Sequence, residues 1–145
     1  MLQVEFHEGL PDLAQLTSRT LLIIDDLMSE ADQRVTDIFT KHSHHRDVSV
    51  MFLTQNLFYK GARTISLNAH YLVLFKNPRD ASQITFLARQ IFPLKSKFMI
   101  EAYEDATSSP YSYLVIDLKP TTDDKMRLRS GVFPDDDAHY AYTPK

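Results

Sequence analysis

Two adjacent carboxylates, Asp25 and Asp26, follow directly on the aliphatic run Leu21-Leu22-Ile23-Ile24. Four aliphatic residues without polar alternation read as a strand buried on both faces, the pattern of a parallel sheet covered by helices. In open α/β sheets ligands gather just beyond the carboxyl ends of the strands, which is where this pair falls. One carboxylate there can hold Mg²⁺ directly or through water, while the second positions the water that attacks a phosphoryl group. The plainer alternative is that the pair ends a strand and starts a turn, a place where Asp is common.

A second residue extends the chemical reading. The run Val48 to Thr54 is another buried strand, and it stops at Gln55-Asn56. An amide at a strand end both donates and accepts hydrogen bonds, so Gln55 can address a terminal phosphate and the attacking water together. Alone it is an ordinary turn residue; beside an acid-terminated strand at βαβ spacing it completes a nucleotide-site pattern, with Asp25-Asp26 as the Walker B acids. The cluster His42, His44 and His45 invites a metal reading. That spacing converges poorly on one ion, and cations at a helix C-terminus interact favourably with its dipole or can face phosphate.

Thr20 to Asp25 is the first strand. Ser29 and Asp32 have capping-box spacing, and Ala31, Val35, Ile38 and Phe39 share a helical face, which predicts a helix from Glu30 to about His42. Leu57 to Asn68 reads as a loop or broken helix. Tyr71 to Phe75 is a third strand. Asn77-Pro78-Arg79-Asp80 carries the signature of a helix start, with Asn as cap, and Ile84, Leu87, Ala88 and Ile91 recur at helical spacing up to Pro93. Ser96 to Ala106 predicts a further helix with Phe98, Met99 and Ala102 inward, and Tyr113 to Asp117 a fourth strand. The expectation is one α/β domain, a parallel sheet flanked by helices, over residues 1–118. Residues 119–145 read as a polar tail laid over its surface, with an edge strand near Leu128.

Composition bounds the function classes. The 145 residues are 43% hydrophobic and 24% charged, ordinary globular values. There is no Cys, which excludes a disulfide framework, a thiolate zinc site and a catalytic thiol. No apolar run reaches the roughly 18–20 residues needed to span a bilayer, and no leader pattern follows Met1. A soluble intracellular protein with no membrane partner is the expectation. The formal net charge of −3 hides a bias: Lys41, Arg46, Lys60, Arg63, Lys76, Arg79, Arg89, Lys95 and Lys97 face only Asp47 and Asp80 within the same stretch. Such a block suits phosphates of a nucleotide or a nucleic acid, or is a set of solvated helix faces.

The runs LLIIDDLMSE (Leu21 to Glu30), KHSHHRDVSVMFLTQN (Lys41 to Asn56) and RTISLNAHYLVLFKNPRD (Arg63 to Asp80) resemble the FtsK/HerA superfamily of P-loop ATPases. More narrowly, they are similar to the genome-packaging ATPases of Maverick/Polinton elements and related viruses. The resemblance covers nearly all of the chain. Its most specific part is the ordered set of acid pair, Thr-Gln strand end and Asn-Ala-His-Tyr strand entry. It implies a partial RecA/FtsK-like core in which Asp25 is the magnesium acid, Asp26 the catalytic acid and Gln55 the polar sensor. Both acids then face the ATP–Mg²⁺ cofactor pair. An arginine finger acting across a subunit boundary is also implied, with Arg63 and Arg79 as candidates. The implied partners are double-stranded DNA, other copies in a homo-oligomeric ring and capsid proteins, in the host nucleus or cytoplasm or with assembling virions.

One departure is clear. No Gly-x-x-x-x-Gly-Lys-[Ser/Thr] occurs, and the only glycines are Gly9, Gly61 and Gly131. The amides and lysine that cradle the triphosphate are therefore not supplied by residues 1–145. The expectation is the C-terminal portion of a longer ATPase, inactive as these residues alone, with an inactive remnant or interaction domain that keeps the ATPase fold as the alternative.

Overall fold

A single helix between two strands returns the chain to the start of the first strand, so the pair it joins runs parallel. That is the arrangement at the head of this chain. The computed structural model describes residues 4–12, 19–25, 33–42, 48–58, 62–79 and 81–144. Strand β1 (Thr20–Asp25) is followed by helix α1 (Gln33–Asp37), which continues as a π-helical turn over Ile38–His42, and then by β2 (Val48–Leu53). β1 and β2 pair in parallel with no offset, from Thr20 opposite Val48 to Asp25 opposite Leu53. Within the π-helical turn, the Thr40 hydroxyl donates to the carbonyl of Thr36 at 2.9 Å, a back-bond of the kind that loosens a helix. The proposed cap at Ser29 and Asp32, Ala31, His44 and His45 lie outside the described residues, as do the side chains of Lys41 and His42.

Helix α2 (Ala62–Asn68) completes this part of the chain. Of the expected loop or broken helix over Leu57 to Asn68, the second half is helical, and its Ile65 is buried. Ile24, Val35, Ile38, Phe39 and Ile65 form one apolar cluster, edged by Leu10, Leu22, Val50 and Phe52. The chain divides after α2 into two compact units, Met1–Asn68 and Ala69–Lys145.

In the second unit two helices separate the strands, and the parity reverses the direction. β3 (Tyr71–Phe75) is followed by α3 (Ser82–Ile91) and α4 (Ser96–Ala106), then β4 (Tyr113–Asp117). The second helix carries the chain back to the far end of β3, so Phe75 lies opposite Tyr113 and the pair is antiparallel. β5 (Leu128–Ser130) and β6 (Tyr140–Tyr142) extend the sheet in the order β3-β4-β5-β6, all antiparallel. A mixed α/β chain is therefore observed, but the single parallel sheet is corrected to a parallel pair and a separate antiparallel sheet.

Two local expectations also shift. The helix expected from Pro78 starts at Ser82, because Asn77 does not cap it. Its side-chain oxygen instead accepts from the backbone N–H of Arg79 at 3.2 Å, closing a turn on its own chain. Residues 119–145 contain the strand expected near Leu128 and a second one besides, and Leu128 is fully buried, so this segment is part of the sheet rather than laid over it. The remaining elements fall where the spacing puts them. Met99, Ala102 and Ala106 of α4 are buried with Leu72, Leu114, Ile116 and Leu128 as the core of the second unit, while Phe98 is half-buried against the edge of Phe92. No helix among the described residues is long and apolar enough to cross a membrane.

Candidate nucleotide edge

The parallel pairing of β1 and β2 brings their carboxyl ends side by side. Asp25 lies opposite Leu53, and Gln55 follows two residues beyond Leu53. Both Asp25 and Gln55 are solvent-exposed, so a carboxylate and an amide lie open at the same end of the strand pair. Around Gln55 the chain turns tightly: the Thr54 hydroxyl accepts from the N–H of Asn56 at 3.2 Å and donates to the Asn56 carbonyl at 3.1 Å. The Asn56 side-chain oxygen then accepts from Phe58 N at 2.8 Å. These bonds fix where the strand ends and hold the Gln55 backbone in place.

Side-chain alternation assigns the two faces of this sheet. Leu22, Ile24, Val50 and Phe52 belong to the core cluster. Leu21, Ile23, Met51 and Leu53 belong to the opposite face and are 56%, 56%, 48% and 44% exposed. The uniformly aliphatic sequence anticipates burial on both faces; within the described residues only one is covered. Parallel sheets are normally covered on both sides. Asp25 shares the uncovered side with Leu21 and Ile23.

The other named residues are placed as follows. Asp26 lies outside the described residues. Arg63 is in α2, but its side chain is outside the described residues. Arg79 sits in the exposed turn ahead of α3, in the second unit. The basic stretch Lys41 to Lys97 is likewise divided between the two units. Mg²⁺ takes hard oxygen ligands, often one or two carboxylates completed by phosphate oxygens and water. The Asp25 carboxylate is such a donor at an open strand end, so the donor chemistry fits. Among the described residues no group of three or more His, Cys, Asp or Glu stands ready to hold a metal ion, so a cation at Asp25 needs further oxygen ligands.

Two side-chain clusters in the second unit were not foreseen in the sequence. Asp117 is buried and bound by Arg129 at 3.0 Å and Lys119 at 3.8 Å, with the Lys119 ammonium 4.8 Å from the centre of the Tyr71 ring. This is a compensated charge cluster that ties β3, β4 and β5 together. The second centres on Tyr113, whose hydroxyl donates to Asp136 Oδ2 at 2.5 Å and accepts from Val132 N at 2.9 Å. Burial and the neighbouring carboxylate push the Tyr113 hydroxyl pKa up, and the hydroxyl holds the Asp136 carboxyl below its ordinary value. A contact 23 residues apart leaves no local signal.

Comparison with known protein families, curated proteins and solved structures finds no match.

Proposed function

We propose that the β1–β2 edge is the magnesium-and-water side of an ATP-hydrolysing site. In this reading the chain is the C-terminal portion of a DNA-translocating motor of the FtsK/HerA type, related to viral and Polinton packaging ATPases. The observation that supports it is the offset-free parallel register that sets Asp25 beside Leu53, the last residue of β2, with Gln55 two residues further on. An acid at the end of one strand and an amide just past the end of its parallel neighbour suit a hydrated cation and an attacking water next to a terminal phosphate. When bound, Mg²⁺ neutralises charge on the phosphates; Asp25 would hold it, Asp26 would accept the proton of the attacking water, and Gln55 would orient that water. The triphosphate cradle has to come from outside residues 1–145, and the uncovered face at Leu21, Ile23, Met51 and Leu53 offers an apolar seat for such a segment. An arginine from a neighbouring copy, Arg63 or Arg79, would complete the site in a ring on double-stranded DNA.

The same uncovered face also supports a second reading, a non-catalytic interaction domain that keeps the ATPase fold. The two are separated by Mg²⁺-dependent nucleotide binding in the protein as its source cell makes it. If Asp25 holds the cation, Asp25→Asn weakens MgATP binding while leaving metal-free nucleotide binding in place. Equal MgATP affinity in the variant and the parent favours the interaction domain.

A further inference from the structure

The second unit contains a groove of about 710 Å³ just past the end of β4, where Leu118 follows Asp117. Its apolar floor includes Ile91, Phe92 and Phe98, and its rim carries Lys95, Lys125 and Arg127. Arg127 is occupied, because its guanidinium binds Asp124 at 2.9 Å and the carbonyls of Asp117 and Thr122 at 2.8 and 3.0 Å. Asp124 is thereby neutralised. Lys95 and Lys125 are exposed and have no ion pair among the described residues, so the rim keeps two uncompensated ammonium groups.

At the opposite end of β4 the loop from Gly131 to His139 has the complementary chemistry. The Tyr113 hydroxyl holds Asp136 inward, the N–H of Phe133 donates to the same carboxylate oxygen at 2.8 Å, and the His139 ring closes on the Gly131 carbonyl. This leaves Asp135 and Asp137 exposed, with Phe133 57% exposed between the strand and the acids. The Phe133 ring rests on Tyr113, their centroids 5.5 Å apart, so the loop is a pinned scaffold that presents the open side of one aromatic ring and two carboxylates.

We propose that this loop docks in the groove of a second copy of the chain, Phe133 entering the apolar floor while Asp135 and Asp137 meet Lys95 and Lys125. A second copy is the occupant because an aromatic anchor flanked by acids matches a Phe-lined groove with a cationic rim. The loop cannot reach its own groove: it is tied to Tyr113, and Leu118 lies five residues along, about 17 Å at strand rise. Donor and acceptor at opposite ends of one sheet make a head-to-tail contact, which closes into a ring or runs on as a filament. A loop in a groove is a small interface, so the association is weak and salt-sensitive. This inference stands independently of the chemistry proposed at Asp25.

Sedimentation velocity over about 1 µM to 1 mM protein tests it, a range that brackets weak affinities. The wild-type chain should associate as concentration rises and dissociate as salt is raised. Lys95→Glu with Lys125→Glu, and separately Asp135→Lys with Asp137→Lys, should each weaken association at least about tenfold, as expected for like charges set face to face. An equimolar mixture of the two charge-reversed chains should associate again, because each basic loop then meets an acidic groove and each acidic loop a basic one. A wild-type monomer at every concentration overturns the proposal. So does association that ignores salt and survives both reversals, which would place the contact on the apolar face at Leu21 and Met51. A mixture no more associated than its parents, with both variants folded by circular dichroism, overturns it as well.

Discussion

Replacing Gly131 by Ala should unseat the loop that follows β5. Gly131 has φ of +64°, in the left-handed region. An L-residue there costs about 1–2 kcal/mol from backbone sterics alone. A methyl group at this position would also lie 1.8 Å from the carbonyl oxygen of Ala138 and 3.0 Å from its carbonyl carbon. Both are backbone atoms, so the obstruction cannot be relieved by rotating a side chain. The loop has to move, and the closures at its base, His139 on Gly131 and Val132 N on the Tyr113 hydroxyl, lose their geometry. Losing one or two net hydrogen bonds adds about 1–2 kcal/mol. The sum is about 3 kcal/mol, borne by the second unit, and for a domain of that size each kcal/mol shifts the melting temperature by about 4–8 °C. Thermal unfolding followed by near-ultraviolet circular dichroism, which reports Tyr113 and its packed neighbours, should show a fall of about 12 °C or more. A fall under about 3 °C would show that the loop is not held as described and that its presentation of Phe133 is not pre-set.

Three further outcomes follow. Residues 1–145 alone should bind MgATP no tighter than about millimolar in a calorimetric titration, roughly −4 kcal/mol, because an acid and an amide cannot meet a triphosphate's charge; micromolar binding would reveal a phosphate cradle within the chain. In the complete motor, Arg63→Ala or Arg79→Ala should keep ATP binding but lose about 10³-fold in turnover if that residue is the finger. Mixing the affected variant with Asp26→Asn should restore part of the activity, and mixtures no better than their parents would exclude both arginines from acting across subunits. The Asp136 carboxyl is held below its ordinary value first by the Tyr113 hydroxyl and then by the Phe133 N–H. A folded-state value below the unfolded one contributes stability that is intact above about pH 4 and is lost as pH falls further. Asp136→Asn should therefore flatten the acid limb of the stability profile below that pH; an unchanged limb would assign the acid sensitivity to other carboxylates.

The sequence made the strands legible because Leu21 to Ile24, Val48 to Leu53 and Tyr113 to Ile116 are apolar runs of strand length ended by polar residues. Strand direction is not carried by periodicity, which is the same whichever way a strand runs; it is carried by the number of helices between two strands, and the two helices already expected between Tyr71–Phe75 and Tyr113–Asp117 set that pair antiparallel. The α3–α4 pair decides it for β4. The parallel pair was readable because one helix intervenes, and with it the placing of Asp25 and Gln55 at the same end of the strand pair. The uncovered face of β1 and β2 was not, because an aliphatic run records what a strand needs as cover and says nothing of which segment provides it. Asn77 and Pro78 misled for a local reason: the Asn side chain satisfies the N–H of Arg79 just as a cap would, and closes a turn instead. The Tyr113–Asp136 and Asp117–Arg129 clusters join residues far apart in the chain, and no short-range pattern encodes them.

If the β1–β2 end handles the water and metal of ATP hydrolysis, as proposed, Asp26 is the group whose loss stops the chemistry. The most direct test is Asp26→Asn in the protein as its source cell makes it, with ATP binding and steady-state turnover measured on the same preparation. ATP affinity should stay nearly unchanged while turnover falls by about 10² or more, the loss expected when a group that activates water is removed. Turnover equal to the parent's would contradict it and leave Asp25 and Asp26 as the end of a strand.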